Sequence, residues 1–269
     1  MENNLNENVS VGSGKKITLP IKIIIIGCAI GLVVAGIGGI KQLNANKTNE
    51  ERKQAATKAS QDFMTTDAFP KFSMREVTLA GGTVRLTVMA KGAGMICPNM
   101  ATMLCVALTD AKVARDPWQA MFGRAVEKTF NRVSVDGDTS TNDTILGLAN
   151  GASGVAAESA ADLALLEEAL TDILGTVSHM LVMDGEGASK VIHITVTGAA
   201  SDDDARTVAR SVGHSQLVKT AIYGGDANWG RIVTAVGYSG AQFDPSKVSM
   251  KLCGIDELYC FFRQQMLIL

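Results

Sequence analysis

The sequence predicts an α+β fold in which layered, mainly antiparallel strands pack against amphipathic helices. Three stretches carry that expectation. Glu76 to Leu79 and Thr83 to Val88 alternate apolar and polar residues around Gly81-Gly82, the pattern of a β-hairpin. Met103 to Leu108 is apolar enough for a buried strand. From Ser159 to about Met180, the residues Leu163, Leu166, Leu170, Ile173, Leu174 and Val177 fall on one helical stripe that must face a core.

Composition agrees and excludes several functions. The chain has 269 residues and a net charge of -2, enough length for one large domain or two small ones. Its 25 basic residues form no block and are matched by 27 acidic ones, so the electrostatic footprint of a nucleic-acid surface is missing. Cys28, Cys97, Cys105, Cys253 and Cys260 are odd in number and scattered, with no CxxC pair and no histidine at ligand spacing. Neither a disulfide framework nor a zinc site is indicated, and no metal is expected. The 27 glycines point to many tight turns and close backbone approaches.

Taken in order, residues 1–22 form a polar leader. Ile23 to Ile40 is an uncharged run of 18 residues between Lys22 and Lys41. As a helix it would span about 27 Å, close to the roughly 30 Å of a bilayer core, so a transmembrane helix is the leading reading. A cleavable signal peptide fits less well, since its apolar region is normally shorter and no small-x-small cleavage site stands clearly behind this one, and an apolar helix buried in a soluble core is the other alternative. Residues 41–61 are charged and read as a solvated helix or juxtamembrane linker, with a domain boundary near Asp62. Beyond the hairpin and the Met103 strand, Asp116-Pro117 offers an N-cap and N1 pair for a helix through about Thr129. Asn131 to Asn142 is polar and turn-prone, and reads as a hydrogen-bonded functional loop or an elaborate surface turn. Its Asp136-Gly137-Asp138 lacks the later ligands of a calcium loop. Val191 to Thr197 is an alternating strand, Asp202 to Val212 a second helix, and Val248 to Leu252 a further strand. Val218 to Arg231 holds three glycines among polar residues and looks like site-building backbone. His179, His193 and His214 are read as structural. Residues 256–269 are apolar and aromatic, without period or caps.

The stretch Lys91-Gly-Ala-Gly-Met-Ile-Cys-Pro-Asn-Met-Ala-Thr-Met-Leu104 is a glycine-rich loop leading into a strand, and Thr102 is its candidate reactive residue. Three more runs join it: Met64-Thr-Thr-Asp67, then Thr129 to Asp143 together with Asp184-Gly-Glu-Gly187, and Tyr223-Gly-Gly-Asp-Ala-Asn-Trp-Gly-Arg231. In this order the four resemble the ornithine acetyltransferases of arginine biosynthesis, also called bifunctional glutamate N-acetyltransferases. The resemblance covers about residues 62–255.

That resemblance implies a precursor cut between Ala101 and Thr102, which frees Thr102 as nucleophile and as the first residue of a second chain. It implies acetyl transfer from N2-acetylornithine, or from acetyl-CoA, to glutamate through an acetyl-Thr102 intermediate, with no resident cofactor. The family's substrate contacts fall on Thr65, Lys91, Thr102 and Glu186, with Thr66 an adjacent alternative to Thr65. Chemistry supports these types: the freed α-amino group, with a pKa of about 7.7 to 8.0, serves the weakly nucleophilic hydroxyl as base. A lysine suits a substrate carboxylate and a glutamate a substrate amine. The family fold is a sandwich of inner sheets and outer helices, its cleaved chains associate into a heterotetramer, and its members are cytoplasmic. The family's Thr-Gly oxyanion pair and its Asn- and Thr-bearing tail find no counterpart around residues 62–255, which implies an incomplete sandwich here. Two alternatives follow: a catalytically dead fragment or fusion tethered to a membrane through residues 23–40, and an amide hydrolase using the same threonine.

Overall fold

A computed structural model describes residues 48–97, 103–138 and 143–252, together with the backbone of 264–268. It is a mixed α+β fold built on two sheets. The expected hairpin is formed by β1 (Lys71–Leu79) and β2 (Gly82–Lys91), antiparallel from Lys71↔Ala90 to Leu79↔Gly82. Its turn is Ala80-Gly81, one residue earlier than the Gly81-Gly82 pair suggests, because Gly82 already pairs with Leu79. β3 (Leu104–Thr109) lies antiparallel to β2, and β5 (Thr144–Ala149) lies parallel to β3. The first sheet therefore runs β1-β2-β3-β5 and is mixed rather than mainly antiparallel. The cause is the connection: the chain leaves β3 and returns through α2 (Arg115–Lys128), and a helical crossover of this kind brings the next strand back in the same direction.

α2 starts two residues earlier than the expected Asp116-Pro117 pair. Ala114 is the N-cap and makes no side-chain hydrogen bond, so Pro117 sits inside the first turn. That is tolerated because the N–H that proline lacks would have no helical partner there. Asp116 still favours the positive end of the helix dipole.

The stripe read from Ser159 becomes α3 (Ala160–Met183), capped by the Ser159 side chain, which accepts from the Asp162 N–H. Leu166, Leu170, Leu174 and Leu181 are each fully buried. Each such side chain contributes about 1.5–3 kcal/mol by leaving water. The helix crosses β1 and β2 on one face: Arg75 pairs with Asp172 of α3. Glu76 points the other way and meets Arg52 at 3.7 Å. Arg52 belongs to α1 (Asn49–Asp62), which opens with a Thr48/Glu51 capping box and buries Ala56 and Ala59. The charged run of residues 41–61 thus contains a helix docked by one face on the sheet.

The second sheet is β4-β7-β6, formed by β4 (Val133–Ser134), β7 (Gln264–Ile268) and β6 (Ile192–Val196). A strand within the otherwise unassigned tail thus lies between the other two, antiparallel to β6 and parallel to β4. The strand expected at residues 248–252 does not form. Strands need a partner to satisfy their backbone, and residues 248–252 pair with neither sheet. On β6 and β7 packs α4 (Asp202–His214), and on α4 pack α5 (Gln216–Tyr223) and α6 (Trp229–Gly237); together they contribute Val208, Val212, Val218, Ile232 and Val236 to a second core. Residues 218–231, expected as site-building backbone, are mostly the end of α5 and the start of α6, joined by a turn at 224–228.

The expected membrane helix at 23–40 lies outside the described residues. Among the described residues no helix is long and apolar enough to cross a membrane.

Candidate active site

Register places the site. Lys91 is the last residue of β2 and pairs with Leu104 at the start of β3, so the chain leaves β2 and enters β3 at one end of the first sheet. Beside this end lies a cleft of about 630 Å³ lined by Thr65, Lys91, Gly94, Asp136, Glu186 and Lys219, among others. Lys91 Nζ donates to Thr65 Oγ1 at 3.4 Å. Thr66 lines the same cleft, but the lysine is tied to Thr65. Glu186 enters from the turn between α3 and β6, its N–H donating to the Ala93 carbonyl at 2.9 Å. Its carboxylate lies over Gly94, where an added Cβ would stand 3.2 Å from Oε1. Glycine at 94 is what lets the acid lie flat against the loop.

Underneath, a buried network fixes these parts to one another. Lys71, fully buried, places its ammonium between Asp67 and Asp184. Asp67 also accepts from the N–H of Gly92 at 2.7 Å and of Thr65 at 3.1 Å. Asp184, the residue ending α3, accepts from the Ala68 N–H at 3.0 Å. Burial pushes the Asp67 carboxyl up, yet the Lys71 ammonium and the two N–H groups outweigh it and hold it below the usual aspartate range. The network joins the segment that carries Thr65, the loop that follows Lys91 and the helix end two residues before Glu186.

The opposite wall is organised by Asp136. Its carboxylate accepts from the N–H groups of Met95, Ile96 and Asp138, the last two at 3.0 Å. Met95 has a φ of 55°, unusual for a residue with a side chain, and such a conformation persists only where its surroundings hold it. The Asp136 carboxylate thereby pins the 95–96 backbone against the 136–138 turn. Lys219 of α5 donates to the Val135 carbonyl at 2.8 Å. His214 Nε2 lies 3.0 Å from Ser134 Oγ and 3.5 Å from Cys97 Sγ. Burial, with Lys219 and Arg210 nearby, pushes the imidazole down, so it is neutral at pH 7 and holds the loop by hydrogen bonding.

Asp143 anchors the start of β3. Its Oδ1 accepts from the Met103 N–H at 2.7 Å, while its buried Oδ2 has no partner among the described residues. Burial pushes this carboxyl up to about 6, with the single N–H pulling the other way.

Of the residues expected at the site, Thr65, Lys91 and Glu186 line one cleft. Ala101 and Thr102 lie outside the described residues. Sequence reasoning missed Lys71, Lys219 and the anchoring aspartates. Asp67, Asp136, Asp143 and Asp184 all stand inside the motif runs, so their signal was present but unassigned. Lys71 and Lys219 belong to no cluster of charge that would single them out. Among the described residues no group of three or more His, Cys, Asp or Glu side chains could hold a metal ion.

A family model described as "ArgJ family" matches residues 27–265 of the chain. The chain belongs to the ArgJ family. The match extends beyond residues 62–255 at both ends and reaches into the apolar run at 23–40. Among similar proteins, the arginine biosynthesis bifunctional protein ArgJ of Nitratidesulfovibrio vulgaris is 60% identical over 80% of this chain and 56% of its own length. The glutamate N-acetyltransferase of Methanocaldococcus jannaschii is 48% identical over 75% of this chain and 50% of its own. A crystal structure of the bifunctional protein ArgJ from Bacillus halodurans is 43% identical over 50% of this chain and 64% of that one, with a TM-score of 0.48. The chain thus spans about half the length of the curated relatives it matches.

Proposed function

We propose that the chain carries the acetyl-transfer site of an arginine-biosynthetic ornithine acetyltransferase and glutamate N-acetyltransferase. The observation that carries this reading is the convergence of Thr65, Lys91 and Glu186, distant in sequence, on one cleft at the end of the sheet where β2 stops and β3 starts, the two strands that flank Thr102 in the sequence. The names of its relatives in the family agree with it.

The chemistry runs in two stages. In the first, Thr102 Oγ attacks the Ala101 carbonyl, the Ala101–Thr102 peptide becomes an ester, and water hydrolyses that ester. Ala101 is left with a carboxylate and Thr102 with a free α-amino group. β2 and β3 lie on opposite sides of the cut bond and pair from Leu86↔Thr109 to Lys91↔Leu104. One sheet therefore holds the two products together, in keeping with an assembly of both chains such as the heterotetramer.

In the second stage the freed amino group takes the hydroxyl proton as Thr102 Oγ attacks the acetyl carbonyl of N2-acetylornithine, or of acetyl-CoA. With N2-acetylornithine the C–N bond breaks and ornithine leaves with the proton; with acetyl-CoA the C–S bond breaks and the CoA thiol leaves with it; acetyl-Thr102 remains in both cases. The amine of glutamate then attacks the ester and regenerates the hydroxyl. Lys91 holds the substrate α-carboxylate with Thr65 beside it, and Glu186 holds the ornithine side-chain ammonium.

A denaturing gel tests the first stage: the unmodified protein should give two chains and Thr102→Ala a single one. A non-catalytic fragment tethered through residues 23–40 gives one chain from both. Ornithine release that needs no glutamate would point instead to the amide hydrolase.

A further inference from the structure

The proposed reaction makes an unusual demand on its cleft. In a two-step exchange, ornithine and glutamate place the same α-amino nitrogen at the same reacting centre. With their α-carboxylates on Lys91, their side chains must follow the same path. Those side chains end in opposite charges, an ammonium and a carboxylate. Glu186 serves the first and repels the second, and like charges about 4 Å apart cost roughly 1–4 kcal/mol near a protein surface.

One lysine in the cleft is placed to meet this demand. Lys219 lines it together with Glu186, Gly187 and Ala188. It also lines a smaller adjoining pocket of about 210 Å³ that shares Gly187 and Ala188, and so stands where the two hollows meet. Lys190 lines the smaller pocket too, but its ammonium is turned onto the carbonyls of Ile222 and Tyr223 at 2.7 and 3.2 Å. The Lys219 ammonium has three hydrogens, and the Val135 carbonyl takes one of them. Burial pushes this lysine down while the Asp136 carboxylate and Cys97 pull it up. A half-buried cation of this kind gains more from an arriving carboxylate than one in open water.

We propose that Lys219 is the specificity residue of the cleft, binding the second carboxylate of a dicarboxylic amino-acid acceptor, while Glu186 binds the terminal ammonium of the diamino-acid partner. This rests on the acetyl-transfer reading given above. It makes the site a charge-paired reader in which each substrate meets one opposite charge.

Calorimetric titration of the chain with glutamate, glutamine and ornithine tests it. Glutamine has the shape of glutamate without the second charge. Unmodified protein should bind glutamate about 10–100-fold tighter than glutamine, the range for a hydrogen-bonded charge. Lys219→Met should bind the two alike while still binding ornithine, which shows in the same experiment that the variant is folded. If Lys219→Met keeps the preference for glutamate, the role of Lys219 is wrong and the acetyl-transfer reading stands. If the unmodified protein binds neither glutamate nor ornithine, that reading of the cleft falls and takes this inference with it. Should Lys219→Met fail to fold, Glu186→Gln decides: ornithine should weaken and glutamate tighten, and unchanged glutamate affinity would overturn the two-charge arrangement.

Discussion

Asp67 and Asp143 are both buried, both hold a backbone N–H of a loop end, and are shifted in opposite directions. Asp67 faces a buried ammonium and two N–H groups, and its carboxylate is stabilised despite losing water. Asp143 faces one N–H, its second oxygen has no partner among the described residues, and desolvation wins. Burial alone therefore does not decide the fate of a carboxylate. The number of donors aimed at it does, and here it separates a fully paired network under the cleft from a half-paired anchor at the start of β3.

The strongest way to break this contrast is to remove the cation. Lys71→Met should destabilise the fold by about 3–5 kcal/mol, because it leaves Asp67 and Asp184 buried together without a counter-charge. Urea unfolding at pH 7 measures it, and a loss below about 1 kcal/mol would mean the network is not the foundation described.

Asp143→Asn should act in the opposite direction. An asparagine oxygen can still accept from Met103, but no charge has to be buried. At pH 7 the variant should be more stable by about 1–3 kcal/mol. The pH dependence gives the sharper test. With its folded pKa raised to about 6 from 3.8, Asp143 binds more protons folded than unfolded between these values. Its contribution to stability is greatest below about pH 4 and is lost as the pH rises to about 6. Asp67, with its folded pKa lowered from 3.8, contributes stability above that value and loses it as the pH falls through the lower one. Unfolding curves at several pH values should show both slopes. Asp143→Asn should abolish the one between pH 4 and 6 and leave the acid one in place.

The smallest expected effect concerns Gly94→Ala. The new Cβ meets only the end of the Glu186 side chain, which can move, so stability should change by less than about 1 kcal/mol. Ornithine binding should weaken several-fold because the displaced carboxylate is its proposed partner. A large loss of stability with unchanged binding would show that Gly94 serves the fold instead.

Much of the scaffold was legible because it depends on neighbouring residues. The hairpin shows in the alternation about Gly81-Gly82, and α3 in the leucines that recur on one stripe. The ends fell within one to three residues, except that β1 begins five residues before the expected Glu76. The strands of the second sheet were less legible. β4 is two residues long, and β7 sits in a tail with no period of its own; what makes them strands is each other and β6. In the site, Thr65, Lys91 and Glu186 came through motif resemblance, whereas Lys71 carried no local mark and Lys219 was marked only by lying in the glycine-bearing run 218–231. A lysine in a strand or on a short helix reads as a solvated charge until the fold buries it.

By itself the sequence determined the alternating and helical stripes, the glycine-rich loop from Lys91 to Leu104 and the membership of a family, since these are properties of adjacent residues and ordered motifs. Tertiary structure decided which charges meet: Lys71 with Asp184, 113 positions away, and Lys219 with Val135, 84 positions away. Charge pairing in a low-dielectric interior depends on distance in space and on the water excluded, and neither is written in the spacing of residues along the chain.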